Sequence, residues 1–409
     1  MGGTLKRSVI GGGVVIRPIE WQPKSARPVL LSYIGVVRRR ATLFFFHLVA
    51  AILYNHPNME RAGYRIVDAN FNRAREAFRV IEDYCRFTLN SAPLSGRAKE
   101  MRHKLSSAIA RLNAERLLAS RDTPGDVGVG QTIESAIGRM DLKDSLTAAC
   151  KRLPEALRVL AETLRSDEPG IADEMERLRY AGYSLEKDIA LFANAQARFS
   201  KVRLYVLVNS SLPADVFALT GQCIAGGVDC LQLRAKDIDA DRYLAVACEF
   251  VKMCKDAGVI SIINDRADIA IASGADGVHL GQNDLPIEQA RKLQLTPLIF
   301  GKSTHSLSQL NAAITELPTY VSLGPVFATP TKPDTKPVGL EYVKRALPIL
   351  TDTGVGHVAI GGITENNIDA ILRAGAKTIA VSSAVAVSPN PKSACKKLKE
   401  KIATFSDKQ

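Results

Sequence analysis

From residue 201 onward, eight short β-rich runs alternate with amphipathic stretches of helical spacing, and few folds accommodate that rhythm. The runs fall at 202–208, 229–235, 260–265, 277–281, 298–303, 320–327, 357–362 and 378–383. Helix-like segments such as 213–225, 239–257, 306–316 and 364–374 lie between them. Eight strand–helix units match a closed (β/α)8 TIM barrel, an α/β fold. An open doubly wound sheet would use fewer strands and usually a glycine-rich turn after the first, whereas here that strand ends Val-Asn-Ser-Ser.

Residues 59–200 carry a different period. Phe71, Ala74, Phe78, Ile81 and Cys85 recur at three- and four-residue steps, with charges on the other face. Further helical patterns follow at 96–120, 131–150, 152–165 and 171–196, punctuated by Pro93, Thr123-Pro124-Gly125 and Pro169-Gly170. No segment alternates like a strand, so an all-α helical bundle precedes the barrel. Glu76–Glu82 and Glu155–Glu162 resemble each other, a weak hint of an internal pair. Asn70, Asn72, Arg73 and Arg79 could line an anion site, as could the turn Arg121–Gly128 with Thr123 and its glycines. A solvated helix face and a capped turn explain the same residues.

The formal net charge of +12 invites a nucleic-acid reading, but position argues against it. Residues 1–58 hold eight basic side chains against the single Glu20, so +7 of the total sits there. No basic stripe interleaved with aromatics occurs in the rest, and no nucleic-acid partner is expected. That leader, with Arg38-Arg39-Arg40 before an apolar stretch at 43–54, reads as a disordered or mis-started segment with the true start at Met59. A targeting or membrane-associated leader is the alternative, although the stretch is short for a bilayer and His47 interrupts it. No membrane partner is expected. Seven cysteines without a C-x-x-C pair read as reduced, mostly buried thiols in a cytoplasmic protein. Oligomeric state stays open, a homo-oligomer included.

In a barrel of this kind chemistry gathers at the C-terminal strand ends. The second run ends Gln232-Leu-Arg234-Ala-Lys236, and alternation puts its amide and two cations on one side, facing the barrel interior or mouth. Buried cations call for an anion, and a phosphate or diphosphate would answer. Asn264-Asp265 and Asp284 follow the third and fourth runs, and two neighbouring carboxylates beside cations suit a Mg2+ shared with diphosphate oxygens. Taken alone, both could equally be helix caps. Ser303 ends the fifth run. The sixth leads into a proline-stiffened loop with Thr329, Thr331, Lys332 and Lys336, a movable lid or an ordinary exposed loop. The last two runs end Gly361-Gly362 and Ser382-Ser383, where barrels often seat a phosphate on backbone N–H groups. No poised His or Cys is obvious at the mouth.

The motifs Q-L-R-x-K, I-N-D-R-x-D, G-V-H-L-G-Q-x-D, G-x-S-x-H-S, L-G-P-V-F-x-T-x-T-K, I-G-G-I and V-S-S-A resemble, in order, those of thiamine phosphate synthase over essentially all of 201–405. The resemblance implies a transferase of thiamine biosynthesis. It joins 4-amino-2-methyl-5-hydroxymethylpyrimidine diphosphate to thiazole phosphate, or its carboxylated tautomer, with pyrophosphate release and a Mg2+ cofactor. Carried over, Gln232, Arg234, Lys236, Asn264, Ser303 and Lys332 hold the pyrimidine diphosphate. Arg234, Lys236, Ser303 and Lys332 assist the chemistry, and Asp265 and Asp284 bind the metal. Thr329, Thr331, Gly362, Ser382 and Ser383 hold the thiazole phosphate. Lys302 and Thr304 replace residues more often apolar in the family, so crowding or added charge in the pyrimidine pocket is expected. The segments Ala69–Glu76, Arg79–Tyr84 and Asp122–Gly128 resemble the helical module fused to some of these synthases, a non-standard hydroxymethylpyrimidine-phosphate kinase. No Walker-type or kinase glycine-rich loop accompanies them. A thiazole tautomerase is the nearest rival reading, and a non-catalytic phosphate-binding regulator a more distant one.

Overall fold

A computed structural model describes residues 59–128, 141–236, 238–294, 296–329 and 336–406. The leader, Thr331 and Lys332 therefore lie outside the described residues. Glu60–Gln409 form one compact unit. Among the described residues, no helix is long and apolar enough to cross a membrane.

Helix α1 (Arg61–Asp83) buries Val67, Ala74, Ala77, Phe78 and Ile81 at three- and four-residue steps. A π-helical turn (Tyr84–Thr88) ends it. Then come α2 (Ala92–Ile109), α3 (Ala114–Ser120), α4 (Leu142–Leu164) and α5 (Pro169–Phe199). The single pattern expected at 96–120 is thus two helices, broken at Ala110–Asn113, where the Asn113 side chain caps α3 by accepting from Arg116 N. Conversely, α4 runs unbroken through Lys151, where two separate patterns were expected to meet, and on through Pro154. Leu153, Ala156, Leu157 and Leu160 are buried around the proline, and their packing outweighs its roughly 3 kcal/mol cost. The expected helix start at 131–140 lies outside the described residues. The two like segments sit on α1 and α4, which pack against each other.

The eight strands are β1 (Leu204–Val208), β2 (Cys230–Leu233), β3 (Ile260–Asn264), β4 (Gly277–Leu280), β5 (Ile299–Thr304), β6 (Tyr320–Leu323), β7 (Gly356–Ile360) and β8 (Ile379–Val381). All pair in parallel, in sequence order, and β8 closes on β1 with Leu204 opposite Ile379. Alternation divides each strand. Val206, Leu231, Ile263, Val278, Phe300 and Val321 point outward into the core shared with the surrounding helices. Tyr205, Leu207, Cys230, Ile262, Ile299, Tyr320, Val358 and Ala380 fill the barrel, together with Phe199 and Val202. The seven cysteines are free, and all but Cys248 are buried.

Candidate active site

The inward positions turn polar toward the C-terminal strand ends. There a cavity of about 890 Å3, its open mouth included, is lined by Gln232, Arg234, Asn264, Ser303, Thr329, Gly362, Ser382 and Ser383 among others. Residues that the sequence assigned to two different anions therefore share one space. Gln232 and Asn264 are buried at strand ends on β2 and β3. Arg234, just past β2, continues the ladder by donating its N–H to Val208 O, and its Nη1 donates to Asn209 Oδ1 at 2.7 Å. Asn209 was only a strand-end marker in the sequence; here it aims the guanidinium. Lys236 is exposed on the following loop.

Opposite them, Gly361 and Gly362 adopt φ of 104° and 65°. A Cβ at either would collide with Pro325 or with Ala328 O, so only glycine allows the β6 loop to close this side of the cavity. Their partly buried backbone and the Ser382-Ser383 turn line this side of the cavity.

Asp265 and Asp284 stand beside the cavity rather than in its wall. Asp265 takes φ 65° just beyond β3, while its N–H donates to His279 O at 2.8 Å. Asp284 is held by Gly281 N, which donates to Oδ2 at 2.6 Å. Burial, reinforced by the neighbouring Asp284 carboxyl, pushes Asp265 up to about 6, while Lys236 and Arg234 pull it down. Two neighbouring carboxyls could supply part of the oxygen shell of a hard divalent metal, the rest falling to water and phosphate oxygens. Both are oxygen ligands, and the pair fits Mg2+.

A polar network crosses the cavity floor, and it includes a histidine that the sequence reading does not single out. Gln232 Nε2 donates to Tyr205 Oη at 2.7 Å, and Tyr205 Oη bonds Tyr320 Oη at 3.0 Å. His279 bridges onward, with Nδ1 to Tyr320 Oη and Nε2 to Ser303 Oγ, both at 3.0 Å. His279 and His305 both line the cavity. Their signal lay in the alternation of β4 and in the G-x-S-x-H-S motif. The tyrosines, 115 residues apart in sequence, left none. Burial pushes both tyrosine hydroxyls far up, so they act as neutral hydrogen-bonding groups.

Lys302 and Thr304 do not crowd this space. Both point outward from β5, Lys302 to within 3.8 Å of Glu316 and Thr304 into bonds with Ser322 O and Tyr342 Oη. Period two, counted from Ser303, explains the difference.

In the helical segment the suggested anion residues are occupied locally. Asn70 Nδ2 donates to Ile66 O, Asn72 Nδ2 to Asp68 O, and Arg73 Nη1 to Asn70 Oδ1. Arg79 pairs with Glu82 and Asp83. The turn is capped: Gly125 N and Gly128 N donate to Asp122 and Asp126, and Arg121 clasps Asp68 in two bonds of 2.6 and 2.7 Å.

A family model described as thiamine monophosphate synthase matches residues 204–385, and one described as the ThiD2 family matches residues 65–188. The thiamine-phosphate synthase of Synechocystis sp. is 38% identical over 334 residues, covering 82% of this chain and 94% of that protein. That of Nostoc punctiforme is 39% identical over 323 residues, covering 79% and 89%. Among solved structures, thiamine phosphate pyrophosphorylase from Pyrococcus furiosus is 28% identical with a TM-score of 0.46, covering 50% of this chain and 97% of its own.

Proposed function

The chain belongs to the thiamine-phosphate synthase family, a family of transferases, and from that premise we propose how its own residues divide the coupling reaction. Arg234, Lys236 and Lys332 neutralise the pyrimidine diphosphate, while Gln232, Asn264 and Ser303 orient it. Thr329, Thr331, Gly362, Ser382 and Ser383 seat the thiazole phosphate. Asp265 and Asp284 hold Mg2+, which when bound supplies further charge neutralisation to the diphosphate.

The aminopyrimidine carries enough electron density to expel its diphosphate and leave a stabilised cation, which the thiazole nitrogen then attacks. The protein needs no covalent nucleophile for this. It must bind the leaving group's charge, hold two substrates in register and keep water from the cation. The observation that carries the reading is one cavity lined by Arg234, Gln232 and Asn264 on one side and by Gly361, Gly362, Ser382 and Ser383 on the other. Pyrophosphate release from both substrates with Mg2+ tests it. Arg234→Ala should raise KM for the pyrimidine diphosphate and Ser383→Ala that for the thiazole phosphate. Interchanged effects would refute the assignment. Binding of thiazole phosphate without any release would favour a tautomerase.

The match at residues 65–188 supports a second activity for the helical segment, transfer of the ATP γ-phosphoryl group to hydroxymethylpyrimidine phosphate. The diphosphate so made is the barrel's substrate, and ADP leaves. Incubation with the monophosphate, ATP, Mg2+ and thiazole phosphate should release pyrophosphate; none would remove the kinase reading. The free, largely buried thiols support a cytoplasmic location.

A further inference from the structure

The last helix of the N-terminal segment enters the floor of the barrel. At its C-terminal end, Phe199 is 3% exposed and its ring stacks on Tyr320, with centroids 4.2 Å apart and planes 4° from parallel. Nearby bonds fix the helix in place. Gln196 Nε2 donates to Thr319 O at 2.7 Å, the residue before β6, and Arg198 pairs with Asp276 before β4.

Tyr320 is the joint of the floor network, since its hydroxyl meets both Tyr205 Oη and His279 Nδ1. On the β5 side the ring, fully buried, lies directly against the backbone. The facing residue is Gly301, and a Cβ there would overlap the Tyr320 ring and His279 Nδ1. Of the three rings around it, Phe199 is the nearest and most nearly parallel, with His279 at 5.5 Å and 24° and Tyr205 edge-on at 6.0 Å, so Phe199 does most to set the plane of the ring. Without it, the ring can tilt, and the bond from its hydroxyl to His279 weakens. His279 Nε2 then no longer holds Ser303 Oγ, and Gln232 loses the ordered Tyr205–Tyr320 pair it donates into.

We propose that Phe199, from the helical segment, is a positioning residue for coupling: by fixing the Tyr320 ring it orders His279, Ser303 and Gln232 against the pyrimidine diphosphate. The anion seat at Gly362 and Ser382-Ser383 is built from other strands and does not depend on it. The inference rests on assigning Gln232 and Ser303 to the pyrimidine side.

Two chemically identical changes on one helix test it in the full chain. Phe199→Leu removes the stacking ring. Phe192→Leu makes the same change at a buried residue that lines a small pocket with Arg291 and Phe300, two turns up the same helix from Phe199. Displacements of this kind in a substrate-orienting group cost on the order of ten- to a hundredfold in rate. Phe199→Leu is therefore expected to lose at least tenfold in kcat/KM for the pyrimidine diphosphate, with KM for thiazole phosphate unchanged within twofold. Phe192→Leu should stay within threefold of wild type despite an equal or larger fall in Tm. Phe199→Met, which restores length but not the plane, should behave like Phe199→Leu and serves if that variant folds poorly. Equal losses at both positions, tracking Tm, or wild-type constants for Phe199→Leu would overturn the proposal. Ser303→Ala, measured alongside, separates the two readings. If it spares the pyrimidine constants the site assignment is wrong; if it impairs them while Phe199→Leu does not, the positioning role is wrong.

Discussion

Asp265 lies close enough to the Asp284 carboxyl, beside the cavity, to be raised by it, and it does so from a left-handed backbone conformation. A non-glycine residue at φ 65° is held there by its surroundings. Burial and the second carboxyl raise Asp265 to about 6, so at pH 8 the metal-free protein keeps Asp265 ionised at a cost. Asparagine tolerates the same φ and removes one charge. Asp265→Asn should therefore raise stability in EDTA at pH 8 by about 1–2 kcal/mol, discounted for partial solvent screening. The same variant should lose at least a hundredfold in Mg2+-dependent pyrophosphate release. A lower Tm in EDTA would show that the pair is not in conflict.

Gly301 faces the barrel interior where a Cβ would overlap the Tyr320 ring and His279. Overpacking of this kind costs about 1–3 kcal/mol. Because the obstructed atoms belong to the floor network, Gly301→Ala should also lower kcat for coupling by roughly tenfold or more, by the misplacement argument. Chemical denaturation and steady-state rates on the same preparation check both. Wild-type rates in a destabilised variant would mean that the network relaxes without consequence.

The barrel was legible because alternation and turn residues mark strands even where packing is unseen. Strand ends were less so. The sixth run was expected to reach residue 327 but β6 ends at Leu323, with Pro325 lacking an N–H for the ladder. The loop nonetheless keeps pairing, Val326 N to Ile360 O and Phe327 N to Gly361 O, which is why it looked strand-like. Gln232 could be named from alternation near its strand end, whereas Asn264 and Ser303 were strand-end residues whose roles came from the resemblance to thiamine phosphate synthase. The Tyr205–Tyr320–His279 contacts could not, since alternation gives a residue's side and not its cross-barrel neighbour. Phe199 belongs to a helix outside the barrel's period, so nothing local linked it to the site.

Asp276 ties the helical segment to the barrel. Its Oδ2 accepts from Ser261 N and Oγ, both at 2.9 Å, while Oδ1 pairs with Arg198. Asp276→Ala leaves a strand N–H and a half-buried guanidinium without this partner, a loss of about 2–4 kcal/mol. Arg198→Ala should cost about 1 kcal/mol, the pair being partly exposed. A double-mutant cycle in urea should return a coupling energy near 1 kcal/mol. Strict additivity would show that the ion pair does not join the two halves energetically.

His357, on β7, gives the fold a pH-dependent term. Burial first, and then Lys377 and Arg203, lower its imidazole to about 4 from an ordinary value of 6.5. Its Nε2 is unprotonated and accepts from Lys377 N at 2.9 Å, a bond that protonation would break. The unfolded chain binds the proton more readily, so this contribution to stability is complete above pH 7. It falls as the pH drops through 6.5 and stops falling below about 4. Half-buried as the ring is, the loss between pH 7 and pH 5 should be about 1–2 kcal/mol. Asparagine at this position carries an amide acceptor but no titratable group. His357→Asn should thus be less stable than wild type at pH 7 and close most of that gap at pH 5, as read from urea midpoints at the two pH values. A gap that stays constant would place the pH dependence of stability elsewhere in the molecule.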